Sequence, residues 1–456
     1  MGWVDIAPRR GEKQTADRRN HSSQDAGMRK NGRAAARSRP ISSAVWKSGA
    51  AQSARPRLFY HTPPVCRLWF LPSAVCRYTA VTRAVTVAAV QASASRASVV
   101  MSLFHTMRAL TFAAHGGPEQ LVVKHDAPVP SVHATDGVRV RVHAAALNRL
   151  DLWVLQGIPG AKVKPGWALG SDGAGIVEAV GSKVTSVKVG DRVIINPGVV
   201  DRSCRCEYCR DGDQPLCLSY GVLGEHYPGT IADYVVVPEA NVRTIPDWLP
   251  WDVAAAFPLA TLTAWRMIVT RAKVRAGEQV LIWGIGGGVA LAALQICKHI
   301  GATAWVTSGS AEKLEKASLL GADHRLDHTQ PDLGKTIRAM TDKRGVDVVI
   351  DSVGEATWPQ SLTALGRRGR LVTCGGTSGP FVQVDVRRMF WNQWTLMGST
   401  MGNDAEFDAI TEFFRHGSLQ PPVDSVWPLE QAPQAYARLA SGQQFGKVVV
   451  QLVPWE

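Results

Sequence analysis

The stretch 281-LIWGIGGGVALAAL-294 joins a β-like run to a helix-like run through four glycines. Glycine lets a backbone turn sharply and come close to a phosphate, and the free N–H groups of the following helix favour an anion. The strict G-x-G-x-x-G pattern is absent because Val289 takes its last position, but Gly284, Gly287 and Ala290 fit the related [A/G]-x-x-G-x-x-[G/A] turn. The stretch therefore predicts the pyrophosphate site of a dinucleotide.

The sequence around this turn alternates between short apolar runs and helix-like runs. Strands are predicted at residues 280–283, 304–307, 324–326, 346–351, 370–374 and 395–398. Helices are predicted between them at residues 288–300, 311–320, 333–341 and 358–364. Short apolar strands that alternate with helices indicate a parallel sheet covered on both faces. The fold class of this part is α/β, a doubly wound dinucleotide-binding domain.

The preceding part of the chain has a different pattern. Valine-rich runs broken by Gly, Pro and Asp predict strands at 108–113, 119–130, 137–148, 174–180, 191–196 and 231–238. They indicate an irregular, mostly antiparallel β domain. A helix-like stretch over 251–270 leads into the alternating part. After Gly402 the pattern predicts helices at 406–414 and 429–439 and a last strand at 446–452, which we expect to return to the β domain.

The end of the second strand of such a domain distinguishes NAD from NADP. An Asp or Glu there accepts a hydrogen bond from the ribose 2′-hydroxyl in NAD-binding proteins. This chain has Ser308 at that position, with Ser310 and Lys313 close by. Without a carboxylate to repel it, a 2′-phosphate is acceptable, and Lys313 can pair with it, so NADP(H) is predicted. The alternative is that Lys313 is only a solvated helix residue.

Four cysteines lie within the fourteen residues 204-CRCEYCRDGDQPLC-217, spaced C-x-C-x2-C-x7-C. Four thiolates without a histidine suit a closed, tetrahedral structural zinc better than a catalytic zinc, which keeps an open position. One structural Zn²⁺ per chain is predicted, bound by Cys204, Cys206, Cys209 and Cys217. A partial three-cysteine site, a site that has lost its metal and a redox role remain as alternatives.

Residues 1–106 form a separate basic segment. Residues 1–105 contain 17 Lys and Arg against 4 Asp and Glu, whereas the rest of the chain is balanced, so the net charge of +13 belongs to this segment. A neutral body argues against nucleic-acid binding. The Arg, Ser and Ala content is typical of an organelle transit peptide, which implies a mitochondrial location. The alternative is an over-extended start, with a cytoplasmic protein that begins at Met101 or Met107; either way we expect this segment to be disordered or absent.

No apolar run reaches the ~18 residues that a membrane span requires, so no membrane association is predicted.

From Met107 to the C-terminus the chain resembles the medium-chain dehydrogenase/reductase family, which includes zinc alcohol dehydrogenases and quinone oxidoreductases. The resemblance rests on the four-cysteine segment and on 143-HAAALNRLDLW-153, 170-GSDGAGIVEAVG-181, 190-GDRV-193, 259-LATLTAW-265, 284-GIGGGVALAALQ-295, 321-GAD-323, 351-DSVG-354 and 446-GKVVV-450. It implies a GroES-like catalytic domain over 107–258, to which 399–456 returns, and a Rossmann domain over 259–398. It also implies a homodimer or homotetramer.

Three catalytic-zinc ligands of the family are missing. Asn148, Ser171 and Leu259 stand where its alcohol dehydrogenases have Cys, His and Cys. The resemblance therefore implies the zinc-free quinone and enone reductase branch, in which Asn and Asp occupy positions such as Asn148 and Asp151. We predict NADPH-dependent hydride transfer to a quinone, an enone or a related carbonyl. Asn148 would donate a hydrogen bond to the reacting oxygen and Asp151 would position the cofactor or a relay water; alternatively, both only form a turn in a loop.

Two departures concern the other sites. The family's zinc lobe is usually spaced C-x2-C-x2-C-x7-C, but here Ser203 holds the usual first position and Cys204 comes one residue later. Ala290 replaces the closing glycine of the turn. The predicted cofactor-binding residues are Thr263, expected at a helix start, and Gly284, Gly286, Gly287, Gly288, Ser308, Lys313 and Gly375.

Two other functions remain open at this point. One is a zinc-dependent alcohol dehydrogenase that uses Asp172 and His226 as unrecognised ligands. The other is a protein without turnover that binds NADPH as a sensor. The substrate in the preferred interpretation is a small carbonyl compound, whose identity the sequence does not specify.

Overall fold

The structure is a computed structural model that describes residues 106–455. The transit-peptide and start-site interpretations fall on residues 1–105 and lie outside the described residues. All the described residues belong to one compact unit. Within them, no helix is both long enough and apolar enough to cross a bilayer.

The N-terminal half is mostly antiparallel β-structure, as the valine-rich runs predict. Its strands are β1 (Thr106–Phe112), β2 (Leu121–Pro128), β3 (Gly137–Ala146), β4 (Asp172–Val180), β5 (Arg192–Ile195), β6 (Gly198–Val199), β7 (Gly221–Val222), β8 (Tyr234–Pro238) and β9 (Val242–Thr244). β3 is the centre of the main sheet and pairs antiparallel with β4 and β8. Along β3, Val138, Val140 and Val142 alternate into the core and are fully buried.

Two helices interrupt these strands, α1 (Arg149–Gln156) and α2 (Glu207–Arg210). α1 is absent from the sequence prediction. Asn148 caps it and Asp151 is its third residue, and the backbone N–H of Asn148 donates to Asp151 Oδ2 at 2.6 Å. This capping box begins a helix, so the interpretation of Asn148 and Asp151 as turn residues in a loop is wrong.

The helix-like stretch 251–270 is divided into three segments. They are α3 (Trp251–Ala256), α4 (Pro258–Trp265) and a π-helical turn, Arg266–Arg271. Pro258 has no N–H to continue α3, but it suits the first turn of a new helix. Thr263 is therefore the sixth residue of α4 and does not lie at a helix start as predicted.

The doubly wound sheet is confirmed. Its strands are β10 (Gln279–Ile282), β11 (Thr303–Ser308), β12 (His324–Asp327), β13 (Val346–Asp351), β14 (Leu365–Thr373) and β15 (Thr395–Gly398). They are all parallel, in the order β12-β11-β10-β13-β14-β15. The helices of this part are α5 (Gly288–Ile300), α6 (Ala311–Leu319), α7 (Leu333–Met340), α8 (Trp358–Ala364) and α9 (Val386–Asn392). The order is that of a dinucleotide-binding fold, with the ligand crevice at the carboxyl ends of the strands.

The C-terminal part consists of α10 (Asp404–Arg415), β16 (Val423–Pro428), α11 (Ala432–Ala440) and β17 (Lys447–Gln451). β17 pairs antiparallel with β3, so the last strand lies in the sheet of the N-terminal half. Short 3-10 segments lie at Pro118–Gln120, Gln214–Leu216, Glu239–Asn241 and Leu429–Gln431. The pairing of β17 with β3 brings Lys447, the first residue of β17, next to Asn148, which precedes it by 299 positions.

Candidate functional site

The glycine turn between β10 and α5 has the geometry of a phosphate site. Gly284 and Gly286 have φ angles of +70° and +122°, which residues with a Cβ adopt at a cost. A Cβ on Gly288, the first residue of α5, would lie 3.0 Å from Ala260 Cβ and 3.0 Å from Lys447 Cδ. The first turn of α5 leaves its N–H groups without partners in the helix, and they are available to an anion.

Two cations flank this turn. Lys313 Nζ donates to the carbonyl of Gly442 at 2.6 Å, and its Cδ is 3.0 Å from the position of a Cβ on Gly286. A guanidinium nitrogen of Arg149, at the start of α1, is 3.5 Å from the position of a Cβ on Gly442. Within residues 106–455 neither makes an ion pair, and burial lowers the pKa of both. Two half-buried cations without carboxylate partners favour a bound phosphate.

The end of β11 lacks a carboxylate, as the sequence indicates. Ser308 is buried, and its Oγ accepts from the backbone N–H of Ser310 at 3.0 Å. Ser310 in turn caps α6 by accepting from the N–H of Lys313. His328 was not predicted; its Nδ1 lies 3.4 Å from Thr307 Oγ1, and burial is the main cause of its lowered pKa. The polar groups at this strand end are thus hydroxyls, an imidazole and an ammonium.

The two remaining predicted cofactor residues lie in α4 and just after β14. Thr263 Oγ1 donates back to the carbonyl of Leu259 at 2.8 Å. A Cβ on Gly375, which follows β14, would lie 3.5 Å from the indole of Trp153 in α1. Contact of either residue with a cofactor stays a prediction.

A buried polar cluster includes Asn148, one of the three residues that the resemblance places at zinc-ligand positions. Lys447 Nζ donates to Asn148 Oδ1 at 2.5 Å and to Asp172 Oδ2 at 2.9 Å. Asn148 Nδ2 donates to the same Asp172 oxygen at 2.9 Å, which closes a triangle. The side chains of Lys447 and Asp172 are 4% and 0% exposed. We call these three residues the lysine cluster.

The other two replaced ligands are also engaged. The backbone N–H of Leu259 donates to Asp172 Oδ1 at 2.7 Å, and Ser171 Oγ donates to the carbonyl of Leu223 at 2.7 Å. The position thus offers no thiolate and no imidazole, and its carboxylate is neutralised by an ammonium group. This donor set does not fit a metal ion.

The predicted role of Asn148 needs correction. Its Oδ1 accepts from Lys447, and its Nδ2 donates to Asp172 and more weakly to the carbonyl of Ala146 at 3.4 Å. The carboxamide therefore holds the lysine cluster together and offers no unengaged donor to a substrate.

Asp151 has a structural rather than a substrate-facing environment. It is 1% exposed, and its Oδ2 holds the N–H of Asn148. Loss of hydration raises its pKa to about 7, although the nearby charge of Lys447 opposes this change. A carboxyl group sealed in this way is not placed to orient a mobile cofactor, so its predicted role is replaced by a role in positioning Asn148.

Replacing Asp151 by asparagine is expected to change how stability depends on pH. Because the pKa of Asp151 is about 7 in the folded chain and 3.8 ordinarily, the wild type loses stability as pH rises between these values. Asparagine keeps an acceptor for the Asn148 N–H but does not titrate. Between pH 5 and pH 8, the free energy of unfolding of Asp151→Asn minus that of the wild type should increase by about 3 kcal/mol. Urea titrations across this range measure it, and parallel pH profiles would contradict it.

The four cysteines predicted to bind zinc come together. Their sulfur atoms all lie within 4.8 Å of one another, and Cys204 Sγ and Cys217 Sγ are 3.6 Å apart. A tetrahedral zinc with Zn–S bonds of ~2.3 Å separates its sulfurs by about 3.8 Å. Donation from Ser219 Oγ, and then from its N–H, lowers the pKa of Cys217 to about 6, which favours the thiolate that binds metal. The donor set fits zinc, and the late position of Cys204 does not prevent the four sulfurs from meeting.

The second ligand set considered, Asp172 with His226, is not assembled. His226 Nδ1 accepts from the backbone N–H of Val222 at 3.2 Å and lies 3.6 Å from Glu225. Within residues 106–455, the four cysteines are the one group of three or more His, Cys, Asp or Glu side chains that share a metal-sized space.

Replacing Cys209 by serine is expected to remove the bound zinc. The purified wild type should contain one zinc per chain, and Cys209→Ser should contain almost none, because three thiolates and an alcohol hold the ion far less tightly. Metal analysis by mass spectrometry measures this. Cys374→Ser, which changes a thiol outside the cluster, should keep its zinc. Equal zinc contents in the wild type and Cys209→Ser would place the ion elsewhere.

Comparison with known proteins agrees with this architecture. Residues 134–247 match the model of the alcohol dehydrogenase GroES-like domain, and residues 288–416 match that of the zinc-binding dehydrogenase domain. A crotonyl-CoA carboxylase/reductase of Cereibacter sphaeroides is 31% identical over 360 residues, which are 72% of this chain and 83% of that protein. A quinone oxidoreductase of Pseudomonas aeruginosa is 30% identical over 350 residues, 75% of this chain and 98% of that protein.

Solved structures give the same result. The structure of an NAD-dependent alcohol dehydrogenase is 42% identical, covers 76% of this chain and 100% of its own, and superposes with a TM-score of 0.72. A catalytic β domain joined to a doubly wound domain with a glycine turn defines a dinucleotide-dependent oxidoreductase. The chain belongs to the medium-chain dehydrogenase/reductase family, as its sequence motifs indicate.

Arg149 and Lys447 are the main site residues that the sequence prediction missed. Arg149 follows Asn148 directly, but only the fold of the 442–446 segment brings it near the glycine turn. Lys447 lies within the motif 446-GKVVV-450, but the motif alone predicts no role for it. The sequence signal for Lys447 was its charge at the first position of an apolar strand. A lysine is almost never fully buried unless it is paired, so this position indicates a partner.

Proposed function

We propose that this protein is an NADPH-dependent reductase that transfers hydride to a quinone, an enone or a related carbonyl, with no metal ion at the reacting centre. The observation that carries the proposal is the lysine cluster, in which an amide, a carboxylate and an ammonium replace the metal ligands of the family's alcohol dehydrogenases. Similar proteins named quinone oxidoreductase and crotonyl-CoA carboxylase/reductase support it.

The chain's own residues bind and orient the cofactor in this proposal. The glycine turn accepts the pyrophosphate at the N-terminus of α5, with Arg149 and Lys313 adding positive charge beside it. Ser308 leaves room for a 2′-phosphate at the end of β11. The bound dinucleotide supplies the hydride, so orientation of the two reactants is the protein's main contribution.

Lys447 supplies positive charge where a metal ion is lacking. An ammonium has three N–H donors, and two of them are engaged by Asn148 and Asp172. Its burial keeps its field from being screened by water. Because Asp172 balances the charge of Lys447, the third N–H of the ammonium is the group proposed to donate to the substrate oxygen on which negative charge develops, in place of a Lewis acid.

A zinc-dependent alcohol dehydrogenase is the second candidate, because one similar structure at 42% identity is named an NAD-dependent alcohol dehydrogenase.

If the protein is the proposed reductase, the full-length chain should oxidise NADPH with conjugated carbonyls and leave saturated primary alcohols unchanged with either NAD⁺ or NADP⁺. Spectrophotometric assays at 340 nm over both panels separate the candidates. Alcohol oxidation would overturn our proposal, and tight NADPH binding without any turnover would favour the sensor.

We also propose that the protein forms a homodimer or a homotetramer. Phe381, Phe390 and Trp391 are all more than 60% exposed, and they lie close in sequence to β15, which pairs on one side only within the described sheet. Exposed apolar side chains beside a free strand edge favour association. Light scattering measures the subunit number, and a monomer would contradict this proposal.

A further inference from the structure

Helix α4 connects the lysine cluster to the segment that contains the four cysteines, residues 201–217, which we call the cysteine lobe. At its start, Leu259 donates to Asp172, and the Cβ of Ala260 lies 3.0 Å from the position of a Cβ on Gly288 in the glycine turn. Arg266 follows its last residue, about 10 Å further along the helix axis. The two ends of one short helix thus contact two different sites.

Arg266 joins this helix to the cysteine lobe. Its side chain is 5% exposed and ion-pairs with Asp213 of the lobe and with Glu406 of α10, the latter at 2.9 Å. Glu406, whose side chain is 8% exposed, compensates the buried charge of Arg266, and Asp213, which is 35% exposed, joins the same guanidinium to the lobe. One side chain therefore links the lobe, α10 and the end of α4.

The start of α10 holds the same lobe by further contacts. Asn403 Nδ2 donates to the carbonyl of Gly212 at 2.8 Å, and Asp404 pairs with Arg202. Glu406 also accepts from the N–H of Asn403 at 2.7 Å, so the partner of Arg266 is itself fixed by the helix cap. The lobe, α10 and the end of α4 form one connected polar network.

A metal ion in the lobe would fix this network. Asp213 and Gly212 lie in the loop between Cys209 and Cys217, whose sulfurs meet at the predicted zinc site. Without the ion, the lobe would be held only by its polar contacts with Arg266 and with the start of α10. A change in the position of Asp213 would reach Leu259 and Ala260 through Arg266 and α4.

We propose that Arg266 is a positioning residue that couples metal binding in the cysteine lobe to dinucleotide binding at the glycine turn. This inference rests on the dinucleotide-binding part of the proposed function and not on the identity of the carbonyl substrate. Because coupling between two binding sites is reciprocal, each ligand must change the affinity of the other by the same factor.

The test uses NADPH and Zn²⁺ as probes on the full-length protein. Tryptophan fluorescence gives the NADPH affinity of the zinc-loaded and zinc-depleted forms, and competition with a coloured chelator gives the zinc affinity with and without NADPH. In the wild type, zinc removal should weaken NADPH binding by about tenfold, and NADPH should raise zinc affinity by the same factor. In Arg266→Met both ratios should fall to near one, although each ligand still binds.

Three further variants keep the test decisive. Asp213→Asn removes the lobe's half of the pair and should also abolish the coupling, and it is the variant to use if Arg266→Met does not fold. Arg243→Met removes an ion pair between β9 and Asp408 of the same helix α10 and should keep the wild-type ratios. Arg266→Lys, which keeps the charge, should restore part of the coupling.

Two results would overturn the inference. One is a wild type whose NADPH affinity is unchanged by zinc removal; the other is the same tenfold ratio in Arg266→Met or Asp213→Asn. A wild type that binds no dinucleotide would overturn both this inference and the proposed function. A wild type that binds NADPH with the expected coupling but reduces no carbonyl compound would overturn the proposed function alone.

Discussion

Replacing Lys447 by methionine is expected to lower the free energy of unfolding by about 3–5 kcal/mol, the effect of breaking a buried ion pair by removal of one partner. Methionine has a similar length but no charge, so Asp172 would remain buried without its ammonium partner, and Asn148 Oδ1 would lose its donor. Urea unfolding at pH 7 measures the change. Because the charge is also proposed to act on the substrate, turnover should fall at the same time.

Two matched variants identify the cause. Asp172→Asn in the Lys447→Met background removes the uncompensated charge, so the double variant should regain much of the lost stability. Lys298→Met breaks an ion pair with Asp323 whose side chains are 33% and 35% exposed, and it should cost less than about 1 kcal/mol. If Lys447→Met were no less stable than Lys298→Met, the buried pair of Lys447 with Asp172 would not stabilise the folded chain more than an exposed pair does.

Replacing Ser308 by aspartate is expected to reverse the cofactor preference. A carboxylate at the end of β11 accepts from a ribose 2′-hydroxyl and repels a 2′-phosphate. Two negative charges a few ångströms apart near a protein surface repel each other by several kcal/mol, so the ratio of kcat/KM for NADPH to that for NADH should fall by about 100-fold or more.

Steady-state kinetics with both cofactors and one quinone substrate measure this ratio. Ser308→Asn is the control, because it has nearly the size of aspartate without the charge and should change the ratio little. A wild type that prefers NADH would contradict the proposed cofactor, and so would an unchanged ratio in Ser308→Asp.

The doubly wound half could be predicted closely from the sequence because its local signals agree with its fold. Helix α5 begins after Gly287 and ends before Gly301, and β13, in which four of six residues are apolar, extends over 346–351 in both prediction and structure. α1 was missed because its eight residues begin only three positions after the end of the long strand β3. Its signal was the capping box formed by Asn148 and Asp151, which was assigned to a loop.

The site was harder to predict than the fold because its contacts are far apart in sequence. Lys447 meets Asn148 across 299 positions, and only the pairing of β17 with β3 brings them together. The sequence identified the missing zinc ligands but not the group that replaces them. The cysteine site was easier, since all four ligands lie in one short loop.

The central claim is that hydride transfer in this protein needs no metal ion, and the most direct test is to measure turnover and zinc content together. The full-length protein is assayed with a quinone at saturating NADPH, before and after exhaustive chelation, and its zinc is counted in the same samples. We expect one zinc per chain before chelation and almost none afterwards, with kcat of the same order in both, because the ion belongs to the cysteine lobe. A kcat that disappears in proportion to the zinc removed, and returns in proportion to zinc restored, would contradict the account.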